Sequence, residues 1–218
     1  MFAIFAAVIA TTPTADVVAA RVEAAVLSPA RFTLNAHIRT EGSFNADIRT
    51  KWRWAPKSRA LIQIDGRLLG AEASARFVST GALMQWPGNL VRVAEDLDRG
   101  SRLMLVRLGA SFNALRIASG TLPDGLDGSG HYFARWTNVQ LGAPERIGRR
   151  RCLPLQFTML VADESIGTGT LWVDARTYLP VQREMRVSFN QGTMHVIERY
   201  TKVGARKTPF PSRLFKLL

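Results

Sequence analysis

Apolar and polar residues alternate along much of the chain, which is the pattern of half-buried β-strands. The first alternating segment covers residues 32–39. After a turn at residues 41–43 the alternation resumes, and its apolar positions are Phe44, Ala46, Ile48, Trp52 and Trp54. Further strands are predicted over 60–64, 71–79 and 83–86, with Asp65-Gly66 and Gly70 as turn residues.

Two segments interrupt this period and are predicted to be helical. The first helix begins at Thr14 or Asp16, either of which can cap it, and ends near Leu27 before a proline. The second segment, residues 89–118, places apolar residues at helical spacing, and Gly100 and Gly109 are expected to divide it. Strands return afterwards, over 137–141, 153–159, 169–174, 179–189 and 194–203, with a hairpin turn at Asn190-Gln191-Gly192.

This order of elements predicts the fold class. The connections between strands have hairpin length, and the helices do not alternate with the strands, so parallel βαβ units are disfavoured. We therefore predict an α+β fold, with a large antiparallel sheet and helices on one face. Residues 11–218 are expected to form a single domain with a helical insertion at about 89–118.

The N-terminal segment predicts export. Residues 2–10 are consecutively apolar, which is far short of the roughly 20 residues that span a bilayer. They match the apolar region of a secretory signal peptide, although no Lys or Arg precedes them. The alternative is a buried N-terminal strand or helix turn. We predict a signal peptide over residues 1–10.

Composition narrows the function classes. The 218 residues carry 29 Lys and Arg against 17 Asp and Glu, a formal net charge of +12, and 47% of them are hydrophobic. A chain so rich in apolar residues has the material for a packed core, which excludes a disordered polyelectrolyte. The arginines extend from Arg21 to Arg213 and cluster only at 146–151, a spread that disfavours nucleic acid as partner. An anionic membrane surface is an equally natural partner for them.

The sequence offers little for catalysis. It contains no GxSxG, HExxH or P-loop motif and no GxGxxG after a strand. His37 and His195 fall on polar faces of predicted strands and are expected to be solvated. Cys152 is the only cysteine and is expected to pack at a strand end. We therefore predict a protein that is not an enzyme and that has no cofactor and no metal.

Large apolar residues recur on one face of the predicted strands and have two interpretations. They form the ordinary core of a sheet covered by helices, which the pattern alone favours. Alternatively they line a cavity for an acyl chain. On the second interpretation the candidate ligand-binding residues are Phe32, Phe44, Ile48, Trp52, Trp54, Ile62 and Trp86.

Several segments resemble the LolA-like family of periplasmic lipoprotein carriers and lipoprotein-sorting proteins. They are the first helix leading into Phe32-Thr33-Leu34, residues 51–56, the hairpin VSTGALMQW at 78–86, and LWVD at 171–174 followed by residues 179–181. Two positions depart from the family pattern. Ala55 stands where the family has an arginine before the proline, with Arg53 as the nearest substitute, and Thr80 stands where the hairpin has an aspartate.

The resemblance implies a strongly bent, open antiparallel sheet, a half-barrel, with helices covering its concave face. It also implies a non-enzymatic periplasmic protein of outer-membrane biogenesis that binds lipid or lipoprotein, of which a lipoprotein carrier is one form. The alternative it implies is an envelope regulatory or interaction domain of the RseB-like kind. The expected partners are the acyl chains of lipids or lipoproteins, together with a membrane protein or an anionic membrane surface.

Overall fold

The computed structural model describes residues 13–93, 97–121, 134–189 and 192–217. The predicted signal peptide and two residues of the predicted turn at 190–192 lie outside these ranges. The described residues form three α-helices, twelve strands and a final 3-10 helix. The helices are α1 (Ala15–Leu27), α2 (Leu97–Leu108) and α3 (Ala110–Ala118), and the 3-10 helix is Ser212–Phe215. The strands are β1 (Phe32–Gly42), β2 (Ala46–Ala55), β3 (Arg59–Leu68), β4 (Ala71–Thr80), β5 (Leu83–Trp86), β6 (Asn89–Arg92), β7 (Ala134–Leu141), β8 (Glu145–Ile147), β9 (Arg150–Val161), β10 (Glu164–Asp174), β11 (Pro180–Phe189) and β12 (Gly192–Ala205).

All twelve strands belong to one antiparallel sheet. Its order is β6-β5-β4-β3-β2-β1-β12-β11-β10-β9-β7, and β8 continues the β7 edge by pairing with β9. The sheet therefore has a first half, β1–β6, and a second half, β7–β12, which meet where β1 pairs with β12. Within the described ranges no ladder joins β6 to β7, so the sheet is open. The predicted α+β class with an open antiparallel sheet is confirmed.

Cross-strand register explains why one face of the first half is buried. Phe32 lies opposite Trp54, and Leu34 lies opposite Trp52. Because side chains alternate across a strand, these apolar positions share one face. All four side chains are fully buried. The predicted alternation of apolar and polar residues therefore agrees with the observed alternation of buried and exposed side chains.

The helices cover that face. Of the two predicted caps, Thr14 is the one that caps α1, because its side chain accepts a hydrogen bond from the Val17 N–H (3.4 Å). A buried arginine, Arg102, ties α2 to the end of α1. It pairs with Asp98 at 2.6 Å and donates to the carbonyl oxygens of Val26 (3.1 Å) and Pro29 (2.6 Å).

Three local expectations were wrong. Residues 89–92 form the strand β6, so the helical segment begins at Leu97 instead of 89. Gly100 lies inside α2, and Gly109 alone separates the two helices. Gly66 lies inside β3 with φ of +147°, and a Cβ there would stand 2.3 Å from the Asp47 carbonyl oxygen. Residue 66 is therefore a glycine because β2 and β3 approach each other closely there, and the turn follows Leu68.

Candidate functional site: an apolar cavity beneath α3

An apolar cavity of about 550 Å³ lies between α3 and the second half of the sheet. One wall is a helical face made by Leu108, Ser111, Phe112, Leu115, Arg116 and Ser119. The other wall consists of inward-facing residues of four strands: Met159 and Val161 on β9, Ile166 on β10, Met185 and Val187 on β11, and Met194 and Val196 on β12. Phe44, in the turn between β1 and β2, completes the lining.

Burial falls steadily from one end of the cavity to the other. On the helical wall, Leu108 and Ser111 are buried, Leu115 is half-buried and Ser119 is exposed. The opposite wall follows the same order, because on β9 Met159 is buried and Val161 is half-buried. The cavity therefore has a closed end near the start of α3. Its mouth lies at the hairpin end of β11 and β12.

The start of α3 is held by a buried carboxylate from β12. Glu198 is fully buried and accepts hydrogen bonds from the backbone N–H groups of Ala110 (3.0 Å) and Ser111 (2.7 Å). A carboxylate satisfies the free donors of a helix N-terminus and complements its dipole. Gly109 makes this approach possible, since a Cβ there would stand 2.4 Å from Glu198 Oε1. Glu198 thus sets the position of the helical wall.

Two further polar side chains belong to this buried network. The Tyr200 hydroxyl donates to Glu198 Oε2, and burial raises the pKa of Tyr200 well above its usual value. Arg183 lies directly opposite Glu198 in the β11–β12 register and donates to the Val106 carbonyl oxygen at the end of α2. The network therefore ties the junction of α2 and α3 to the centre of the sheet.

The residues predicted to bind a ligand fall into two groups. Phe44 is half-buried and lines the cavity. The other six lie in the hydrophobic core of the first half, with at most 6% exposure: Phe32, Ile48, Trp52, Trp54, Ile62 and Trp86. The indole of Trp54 donates to the hydroxyl of Ser101 on α2 (2.9 Å), so this half of the sheet is packed against the helices.

Sequence reasoning missed most of the cavity and its buried network. The alternation within the predicted strand 179–189 puts Met185 and Val187 on one face, but their apolar character does not distinguish them from ordinary core. Arg183 and Glu198 were also missed, although their positions in the alternation of their strands place both on the apolar face. Arg183 stands two residues from Val181 and two from Met185, which places its charge on the apolar face.

The two histidines and the cysteine considered in the sequence lie outside the cavity lining. His37 contacts Asp47 (2.6 Å) and His195 contacts Glu184 (2.8 Å), with both rings only partly exposed. Cys152 is buried, and burial raises the pKa of its thiol. In the described ranges, no three His, Cys, Asp or Glu side chains are grouped so that they could hold a metal ion. No helix in those ranges has the length and apolar character needed to cross a membrane.

Comparisons with known proteins concern the fold. No family profile matches the chain, and no curated protein matches it. Among solved structures, a LolA superfamily protein from Nitrosomonas europaea is similar at 14% identity and a TM-score of 0.40, over 94% of this chain and 99% of that one. A lipoprotein-sorting protein domain from Vibrio parahaemolyticus is similar at 8% identity and a TM-score of 0.31, over 92% and 95%.

The Pseudomonas aeruginosa MucA/MucB complex is also similar, at 16% identity and a TM-score of 0.43 over 92% of this chain. This chain spans about three fifths of the length of the chain that it matches in that complex, of which 60% is covered. The resemblance seen in the sequence thus has counterparts among solved structures. Likenesses this distant carry no functional conclusion, so the function proposed below rests on the geometry of the cavity.

Proposed function

We propose that this chain is a non-enzymatic binding protein that holds an acyl chain in the cavity beneath α3. The observation that supports the proposal is the cavity itself. Its volume of about 550 Å³ lies within the roughly 300–1,000 Å³ typical of small-molecule sites. Its walls are mostly aliphatic and aromatic, and three methionines among them can adapt to an irregular chain.

Affinity in such a cavity comes from apolar burial and depends little on polar contacts. Each buried methylene contributes about 0.8 kcal/mol, which is about a fourfold gain in affinity. A series of fatty acids should therefore bind about 15-fold more tightly for every two methylenes added. This gain should stop when the chain fills the cavity.

The experiment is the uptake of a fluorescent fatty-acyl probe by the purified protein. Val161→Trp places a larger side chain at a half-buried cavity position and should lower probe affinity at least tenfold. Val203→Trp makes the same change at a half-buried strand position outside the cavity and should leave affinity unchanged. Absence of uptake at micromolar probe, or equal losses in both variants, would contradict the proposal.

A second candidate function is an envelope regulatory or interaction domain. The observation that favours it is the filled first half, where Trp52 and Trp54 are fully buried and stacked with ring centroids 5.4 Å apart. A protein that acts through its surface needs no cavity there. In this case cross-linking should capture a membrane protein, and the cavity variant Val161→Trp should leave that capture unchanged.

The proposed compartment is the periplasm. Its support is the apolar segment at residues 2–10 and the family resemblance in the sequence. A reporter fused behind the first 20 residues should be exported. Retention of the reporter in the cytoplasm would contradict this part of the proposal.

A further inference from the structure

The β8–β9 hairpin carries an unusual concentration of positive charge. Arg146, Arg149, Arg150 and Arg151 lie within six residues, and all four are exposed. Arg176 joins them, because the neighbouring Ala175 N–H donates to the Arg151 carbonyl oxygen (2.9 Å) and so brings its loop against β9. We call these five residues the arginine cluster.

The pairing within this hairpin is electrostatically unfavourable. Arg146 lies directly opposite Arg151 in the β8–β9 register. Like charges at directly opposed positions destabilise an antiparallel pair. A sequence under selection for stability alone would place a carboxylate at one of the two positions. The repulsion therefore indicates that the charge serves contact with something outside the chain.

In the described ranges, the cluster has no carboxylate partner at ion-pair distance. Elsewhere, arginines pair with acidic groups, as Arg135 does with Asp163 (2.8 Å). In the part of the chain that the structure describes, no ion pair within 4.0 Å joins the cluster to a carboxylate. Two carboxylates of the adjoining segments bond neutral donors: Glu145 accepts from the Trp172 indole, and Asp174 accepts the backbone N–H groups of residues 176 and 177. Against the effect of burial, these N–H groups lower the pKa of Asp174, and the charge of Arg150 adds to the lowering.

The kind of partner follows from the shape and chemistry of the cluster. Guanidinium groups bind phosphate through two parallel hydrogen bonds. The cluster lies on a short hairpin at the β7 edge of the sheet. This position suits contact with a flat partner surface better than binding of a nucleic-acid strand in a groove of the protein. Residues 145–151 contain no aromatic side chain, and the adjacent Trp172 is half-buried with its indole N–H donated to Glu145, which disfavours stacking of a nucleic-acid base.

We propose that the arginine cluster docks the protein on the phosphate groups of an anionic membrane. The cluster and the cavity mouth lie at opposite ends of β9, whose twelve residues span about 35 Å. A protein docked through the cluster therefore directs its cavity mouth away from that membrane. The docking surface is independent of the proposed acyl-chain site, and the two can fail separately.

The experiment measures binding to phosphatidylcholine vesicles with and without phosphatidylglycerol. Binding should require the anionic lipid and should weaken as salt rises, because exposed charges are screened. The double variant Arg146→Gln/Arg151→Gln should bind about 25-fold more weakly, since each basic residue near an anionic surface contributes about fivefold. The same variant should melt about 1–3 °C higher, because it removes the opposed like charges.

A matched control separates the cluster from net charge. Arg49→Gln/Arg199→Gln removes two exposed strand arginines outside the cluster, and vesicle binding should change less than twofold. Equal losses in the two double variants would refute the proposal, as would equal binding to neutral vesicles. Cluster-dependent binding to single-stranded DNA or polyglutamate, without binding to anionic vesicles, would assign the surface to another partner. Acyl-probe uptake by the cluster variant should stay unchanged.

Discussion

Replacement of Glu198 by glutamine tests whether the buried carboxylate positions α3. The native side chain offers two oxygens to three donors: the backbone N–H groups of Ala110 and Ser111 and the hydroxyl of Tyr200. Glutamine keeps one oxygen and replaces the other by a donor. The variant also removes the negative charge that lies opposite the buried guanidinium of Arg183.

The expected loss in the free energy of unfolding follows from the donors that the glutamine amide leaves without an acceptor. At least one buried backbone N–H loses its acceptor, which costs about 1–3 kcal/mol. The loss of the charge opposite Arg183 adds to this. Arg183 and Glu198 are register partners without an ion pair within 4.0 Å in the described ranges, so this addition stays below the about 3–5 kcal/mol of a broken buried pair. We expect the free energy of unfolding to fall by about 2–4 kcal/mol.

Urea denaturation followed by tryptophan fluorescence measures this loss, and a thermal melt should show Tm lowered by about 4–16 °C. Glu184→Gln is the matched control, because Glu184 lies on the adjacent strand and its side chain is 42% exposed. The control should lose at most about 1 kcal/mol. A Glu198 variant that loses less than its control would refute the role assigned to this carboxylate.

Two further predictions concern the same chain. Gly109→Ala should lower the free energy of unfolding by about 2–4 kcal/mol in urea, because residue 109 has φ of +93° and its new Cβ would displace the capping carboxylate. Gly148→Ala, also at positive φ but with open space around it, should lose only about 1–2 kcal/mol, and equal losses would count against the steric argument. Asp47→Asn should remove a pH-dependent contribution to the free energy of unfolding, because hydrogen bonds from His37 and Arg39 lower the pKa of Asp47 below its unfolded value. The ionised carboxylate therefore stabilises the fold above that value and loses this effect as pH falls through the folded pKa. Urea midpoints should show a deficit of about 0.2–1 kcal/mol near pH 6 that disappears in strong acid, and a deficit that persists there would contradict the assignment.

Local patterns were sufficient for most of the secondary structure. The cap at Thr14, the alternation in β1 and β2 and the hairpin strands were all visible, because each depends on residues a few positions apart. The errors arose where a short window is ambiguous. Residues 89–92 become a strand because they pair with β5, and Gly100 is accommodated inside a buried helix. Pairing and packing override the local preference at such positions.

The sequence by itself determined that one face of the sheet is apolar, with the large aromatic residues concentrated in the first half. It did not determine where that face is filled and where it borders a cavity. Whether an apolar side chain is core or cavity wall depends on the volume left beneath the opposing layer, and that volume depends on where the helices lie. The tertiary structure decided this by packing Trp54 against α2 and by holding the start of α3 on Glu198, a residue 88 positions away from Ala110 along the chain.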